Sequence, residues 1–211
     1  MADTNNFDEG VIKFNANDFK RQPMKSSHQL SQLNDIRNRL FRMNLIGEYP
    51  IEKVGFGNLS IRYAYPTSQN LNSFIISGTQ TGHIAQLGNQ DYTYVIDYNF
   101  EKNSVAVRGP VQASSESLTH GAIYQCHSDI QAVIHVHSQA IWQGMLDDNL
   151  PHTSANIPYG TPEMAEAVQT VINGQSSGVL AMAGHEDGVI TFAETVEHAF
   201  TLCEQLYRRY I

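Results

Sequence analysis

Cysteine is scarce in this chain of 211 residues: Cys126 and Cys203 are the only two. They form no CxxC pair and are too few for a disulfide framework, so both are expected as reduced helix residues of a cytoplasmic protein. Basic residues are also few. Thirteen Lys+Arg stand against 21 Asp+Glu, a formal net charge of -8. Only Arg208-Arg209 pairs two cations near a terminus. That deficit argues against nucleic acid as a partner, because neutralising phosphates takes clustered cations. No run of about 18 apolar residues occurs, so no membrane span is expected. Met1–Asn6 is polar and acidic, unlike a secretory signal. Internal repeats, low-complexity tracts and linkers are lacking too. The apolar share of 41% against 16% charged residues is nevertheless that of a globular chain able to bury a core. The length suits one domain with a short appendage, read as an N-terminal extension over 1–26 and a domain over 27–211. Histidine, at nine residues, is plentiful by contrast.

Leu30, Leu33, Ile36, Leu40 and Met43 recur at three- and four-residue steps and predict a helix over Ser27–Ile46, with Gly47 as its stop. GVIKF (10–14) is a candidate short strand before it. Strands are expected at LSIRYA (59–64), SFIIS (73–77), YTYVIDY (92–98) and SVAVR (104–108), with a GTQTG loop at 78–82 and a turn near Glu101–Asn103. Beyond Gly109-Pro110 the pattern predicts helices over Ser114–Cys126, from Ile141 to Leu146, over Pro162–Ile172 and over Glu194–Tyr210. Proline at the first position and glutamate in the first turn mark the third of these. Ala132–Val136, Val179–Ala183 and Val189–Phe192 read as strands. The mixture predicts one α/β or α+β domain, a sheet with a sizeable antiparallel part covered by helices.

The sharpest chemical feature is His135-Val136-His137 inside AVIHVHS. Residues i and i+2 of a strand share a face, so both imidazoles project together and suit a cation of the zinc type. The bland alternative is a pair of satisfied polar residues at a strand end. Besides His185, the candidates for a third ligand are His28, His83, His120, His127, His152 and His198, of which His28, His127 and His198 lie in helical or connecting stretches with no ligand-like context. His185 opens the glycine-flanked turn GHEDG after an apolar strand; it is either a third ligand or a turn histidine bonded to backbone. Ser114-Ser115 opens a predicted helix, where exposed amides and two hydroxyls form an anion cradle or, more simply, an N-cap. The GTQTG loop and Asn58 in GFGNLS are further donors to the same anion. GFGN is neither a P-loop nor a dinucleotide fingerprint. Glu116 next to the serines is either an acid/base beside a bound dication or a first-turn acid on the helix dipole.

These pieces, in this order, resemble the class II aldolase/adducin family. The resemblance runs from near Leu30 to Tyr207 and rests on GNLSIR (57–62), SGTQTG (77–82), SSESLTHGAIY (114–124), AVIHVHS (132–138), GTPEMAEAV (160–168) and GHEDGVITF (184–192). It implies a three-layer α-β-α fold, with a central, mainly antiparallel sheet flanked by helices. It also implies a ring-shaped homotetramer with sites at subunit interfaces. By motif match, His135, His137 and His185 correspond to the zinc ligands. Glu116 corresponds to the acid/base and to a further ligand of the free enzyme. Asn58, Thr81, Gly82, Ser114 and Ser115 correspond to the phosphate site. One Zn2+ per subunit is implied, the donor set admitting Mn2+ or Co2+ as well. The family's tyrosine between the second and third ligands has no counterpart in Leu150-Pro151-His152-Thr153, which leaves Tyr159 or His152 as the proton donor.

What the resemblance implies is a zinc-dependent lyase cleaving or forming a C–C bond in a small sugar phosphate through a metal-stabilised enediolate. An epimerase, dehydratase or decarboxylase using the same site is the near alternative. A non-catalytic, adducin-like oligomer is the alternative from another class, and retention of the three histidines and Glu116 argues against it. A cupin also carries HxH but needs a glutamate about four residues on, which Ser138–Leu146 lacks.

Overall fold

The computed structural model describes residues 10–211; the polar stretch Met1–Asn6 lies outside them. Strand β1 (Asn15–Arg21) leads to helix α1 (His28–Arg42), whose N-cap Ser27 accepts the Leu30 amide. The apolar stripe of α1 buries Leu30, Leu33, Ile36 and Leu40. The helix stops earlier than Gly47. Asn44 takes the left-handed conformation (φ 56°), and the Leu45 amide bonds the Leu40 carbonyl. Asparagine tolerates that conformation and here ends the helix as glycine usually does. Gly47 instead begins β2 (Gly47–Glu48), which pairs with β3 (Gly55–Phe56).

Strands β4 (Asn58–Arg62), β5 (Phe74–Ser77), β6 (Tyr92–Asn99) and β7 (Ser104–Gly109) follow. Then come α2 (Ser117–Cys126), β8 (Ala132–His137), α3 (Gln139–Asp147), α4 (Pro162–Ile172), β9 (Gly178–Ala181), β10 (Gly188–Ala193) and α5 (Val196–Tyr210). Eight strands form one sheet in the order β1-β7-β6-β5-β4-β8-β10-β9. Every pairing in it is antiparallel except β1 with β7. The candidate strand at 10–14 is not a strand. Phe14 packs in the core as coil, and the polar segment that follows forms an edge strand with most side chains exposed.

Alternation along the strands splits the core into two layers. Leu59, Ile61, Ile134, Val136 and Val189 pack with α1, α3 and α5. Phe74, Val133, Ile190 and Phe192 pack with residues of α2 and α4. The fold is therefore a three-layer α/β sandwich around a mainly antiparallel sheet. Cys126 and Cys203 are free and helical. No helix among the described residues is long and apolar enough to cross a membrane.

Candidate functional site

Strand β8 carries Ile134 and Val136 to one face and His135 and His137 to the other, toward α2. Its neighbours are in register with that face: Asn58 of β4 lies opposite His135, and Gly188 of β10 lies opposite His137. His185 enters from the turn between β9 and β10. That turn is closed by the His185 amide on the Met182 carbonyl (2.9 Å) and the Gly188 amide on the His185 carbonyl (3.0 Å). Gly188 makes room for the rings: a Cβ there would stand 3.1 Å from His185 Nδ1 and 3.2 Å from His135 Cε1.

The three imidazoles form a near-equilateral triangle. Ring centroids are 4.8 Å apart for His135 and His137, 5.2 Å for His135 and His185, and 4.9 Å for His137 and His185. Their ligand nitrogens lie within 4.8 Å of one another, and all three residues are buried. His135 Nδ1 is 3.3 Å from the Val189 carbonyl. A carbonyl only accepts, so Nδ1 carries the proton and Nε2 keeps its lone pair. His137 Nδ1 is 2.8 Å from the Tyr49 hydroxyl, and its Nε2 stands 3.0 Å from His135 Nε2. Two nitrogens sharing a tetrahedral zinc at 2.0–2.1 Å stand about 3.3 Å apart, so the observed pair is close to ligand spacing. Burial, and then the neighbouring His137 and His185, hold His135 well below the ordinary histidine pKa. It is therefore neutral, the form in which imidazole binds metal. The donor set fits a zinc-type cation.

Glu116, 2% exposed, faces this triangle. Its Oε1 is 3.9 Å from His185 Nδ1, and its Oε2 accepts the Thr119 hydroxyl at 2.9 Å. The helix α2 begins at Ser117, three residues later than its sequence pattern predicts, with Glu116 as N-cap and no side-chain cap bond. The serines are thus not caps of α2. The Ser114 hydroxyl accepts the Glu116 amide (3.3 Å), and the Ser115 hydroxyl makes no hydrogen bond among the described residues.

Asn58, Thr81, Gly82, Ser114 and Ser115 all line one small enclosed pocket beside the carboxylate's helix. Gly82 is required there, since a Cβ would overlap the Gly47 carbonyl. The structure also separates the two proton-donor candidates. Tyr159 is buried and stacks on His185 (centroids 4.4 Å, 22° between planes), and its hydroxyl accepts the Val11 amide at 3.3 Å. His152 is exposed and its Nδ1 donates to the Leu150 carbonyl at 2.8 Å, in no described contact with the triangle.

Sequence reasoning missed Tyr49, Thr119, Lys13 and Arg37. Lys13 Nζ sits 3.8 Å over the Tyr159 ring and donates to the Tyr159 carbonyl at 3.3 Å. Nothing in the sequence around Tyr49 or Lys13 announces these contacts. Arg37 left a signal, a cation spaced four residues after Leu33 and three before Leu40, on the apolar face of the helix. His120, one turn beyond Glu116, is 0% exposed and bonds Ser60 Oγ at 2.7 Å, while Tyr124 OH is 2.8 Å from the same oxygen. Burial drives its pKa down to about 3.

Residues 43–209 match the family model for the Class II Aldolase and Adducin N-terminal domain. Among solved structures, an L-fuculose 1-phosphate aldolase is similar with TM-score 0.62 and 20% identity, over 88% of this chain and 84% of that one. The L-fuculose-1-phosphate aldolase from Thermus thermophilus has TM-score 0.58 and 17% identity, over 83% and 85%. A sugar-phosphate aldolase from Thermotoga maritima has TM-score 0.62 and 15% identity, over 86% and 93%. No curated protein matches. At these identities the structural likeness speaks for the fold.

Proposed function

Since the chain belongs to the class II aldolase/adducin family, we propose that it is a metal-dependent lyase that forms or breaks a C–C bond in a small sugar phosphate. One observation carries this reading: three buried imidazoles converge within 4.8 Å of one another, with a buried carboxylate 3.9 Å from one of them. His135, His137 and His185 would hold the metal, zinc in the first instance, and Glu116 stands where it can join them in the free enzyme. Bound there, zinc supplies a Lewis acid that offsets negative charge on substrate oxygens.

The remaining chemistry belongs to the chain's own groups. Glu116 takes and returns the proton at the substrate carbon next to the carbonyl, with the Thr119 hydroxyl fixing its second oxygen. Asn58, Thr81, Gly82, Ser114 and Ser115 hold the phosphate and so orient the reacting carbon toward Glu116. Tyr159, stacked on His185, is assigned the proton at the aldehyde oxygen in preference to His152, which is exposed. The family resemblance supports a homotetramer with sites at subunit interfaces, and the two free cysteines support a cytoplasmic location. An epimerase or dehydratase would use the same groups. An adducin-like, non-catalytic oligomer is the reading from another class, and the buried histidine triangle counts against it.

The test has two parts. Metal per chain is measured by elemental mass spectrometry on protein purified without added metal. The protein is then given a panel of ketose phosphates, with aldehyde release and water loss followed separately. One zinc per chain with aldehyde release is expected. Water loss or epimerisation would transfer the assignment to the alternative reactions. No metal after incubation with zinc and dialysis would overturn the enzyme reading in favour of the adducin-like one.

A further inference from the structure

The enclosed pocket beside Glu116 is lined by glycines, hydroxyls and amides, with no Lys or Arg among its described residues. A cation stands directly behind it. Arg37 projects from α1, is 1% exposed, and lies against the Phe41 ring with its guanidinium carbon 4.7 Å from the centroid. It donates to the carbonyls of Ala85 (2.9 Å), Thr81 (3.2 Å) and Gly82 (2.9 Å). All of its described hydrogen bonds go to main-chain carbonyls and none to a carboxylate. A buried guanidinium stays charged, and here the Asp91 carboxylate favours that charge from nearby without a hydrogen bond to it.

The consequence for the loop follows from peptide geometry. In a planar trans peptide the C=O and the following N–H point opposite ways. With the Thr81 and Gly82 carbonyls drawn onto Arg37, the Gly82 and His83 amides face away from it. Among the described hydrogen bonds, none of the Gln80, Thr81, Gly82 and His83 amides donates to a protein acceptor. Gln80 is held in the left-handed region (φ 58°) at the head of this turn. The loop thus holds four successive undonated N–H groups, and the peptides of two of them, Gly82 and His83, are fastened by their carbonyls to a buried cation, an arrangement that suits an anion.

We propose that Arg37 is the positioning residue of this anion site: it fixes the 78–85 segment with its amides directed at a phosphate group and supplies, through the loop, the positive charge that the phosphate neutralises. The proposal rests on reading the pocket as a phosphate site. Arg37 precedes residue 43, where the family match begins.

The test uses inorganic phosphate, with affinity measured by isothermal titration calorimetry in zinc-loaded wild type, Arg37→Met and Arg37→Lys and in wild type stripped of metal by a chelator. Arg37→Met is expected to weaken phosphate at least ten-fold while keeping one zinc per chain, a split that general loss of structure would not produce. Arg37→Lys keeps the charge but not the fork. It is expected to fold and to recover part of the affinity, so it decides the matter if Arg37→Met does not fold. Metal-free wild type is expected to bind phosphate as the zinc-loaded protein does. Wild-type phosphate affinity in both Arg37 variants would overturn the role of Arg37 and leave the phosphate site standing. No phosphate binding by wild type, or its loss when the metal is removed, would overturn the phosphate site itself, and the proposal with it.

Discussion

Replacing Tyr49 with phenylalanine isolates one bond behind the histidine triangle. The Tyr49 hydroxyl lies 2.8 Å from His137 Nδ1. Its ring packs on Phe56 at 4.7 Å and meets His137 edge-on at 6.1 Å. Phenylalanine keeps both ring contacts and removes only the hydroxyl. What is lost is the bond that holds the His137 ring with Nε2 turned toward His135. Partners of this kind behind a metal ligand typically contribute 10- to 100-fold in metal affinity, about 1.4–2.7 kcal/mol. Tyr49→Phe is therefore expected to weaken zinc by one to two orders of magnitude with little change in the stability of the metal-free protein. Tyr49→Ala, which also removes the ring, is expected to lower both. Zinc affinity is read by competition with a chromophoric chelator at neutral pH, and stability by denaturant midpoint after chelation. Equal zinc affinity in Tyr49→Phe and wild type would refute the reasoning, because the hydroxyl would then have no part in orienting His137.

Two further outcomes are expected. Glu116→Gln keeps the side chain's shape and the contact with Thr119, so zinc content should hold at one per chain while turnover on an identified substrate falls about 10²- to 10⁴-fold; near-normal turnover would remove Glu116 from the proton transfer. His120 has a folded pKa of about 3 against an ordinary 6.5. The unfolded chain therefore binds a proton that the folded chain refuses. The stability this represents is complete above about pH 6.5 and is lost as pH falls toward 3, about 2 kcal/mol of it by about pH 5. Denaturant midpoints of metal-free wild type and His120→Gln should show a weaker acid dependence in the variant, and parallel curves would refute the burial argument.

Legibility in the sequence followed the strength of local patterning. The α4 boundaries could be read outright, because Thr161 caps the helix, Pro162 starts it and its apolar positions repeat. The inner strands were close for the same reason, their apolar residues running or alternating between glycine-marked turns. The polar edge strand Asn15–Arg21 could not be read, because an exposed edge has no apolar period; the neighbouring VIKF was the apolar segment, and it packs as coil. The serine turn before α2 was misjudged as helix because a capping pattern and a cradle share the same residue types.

By itself the sequence determined the histidine pair. Two positions apart on a strand is a covalent spacing that places both rings on one face whatever the fold around them. It also determined the acidic balance, the apolar stripe of α1 and the motif order on which family membership rests. Only the tertiary structure decided what depends on long-range pairing. It brought His185 into the triangle across β10, set Asn58 opposite His135, stacked Tyr159 on His185, and placed Tyr49 and Arg37 behind the groups they hold. Those contacts join residues tens of positions apart, and sheet register and helix packing, rather than any local preference, bring such residues together.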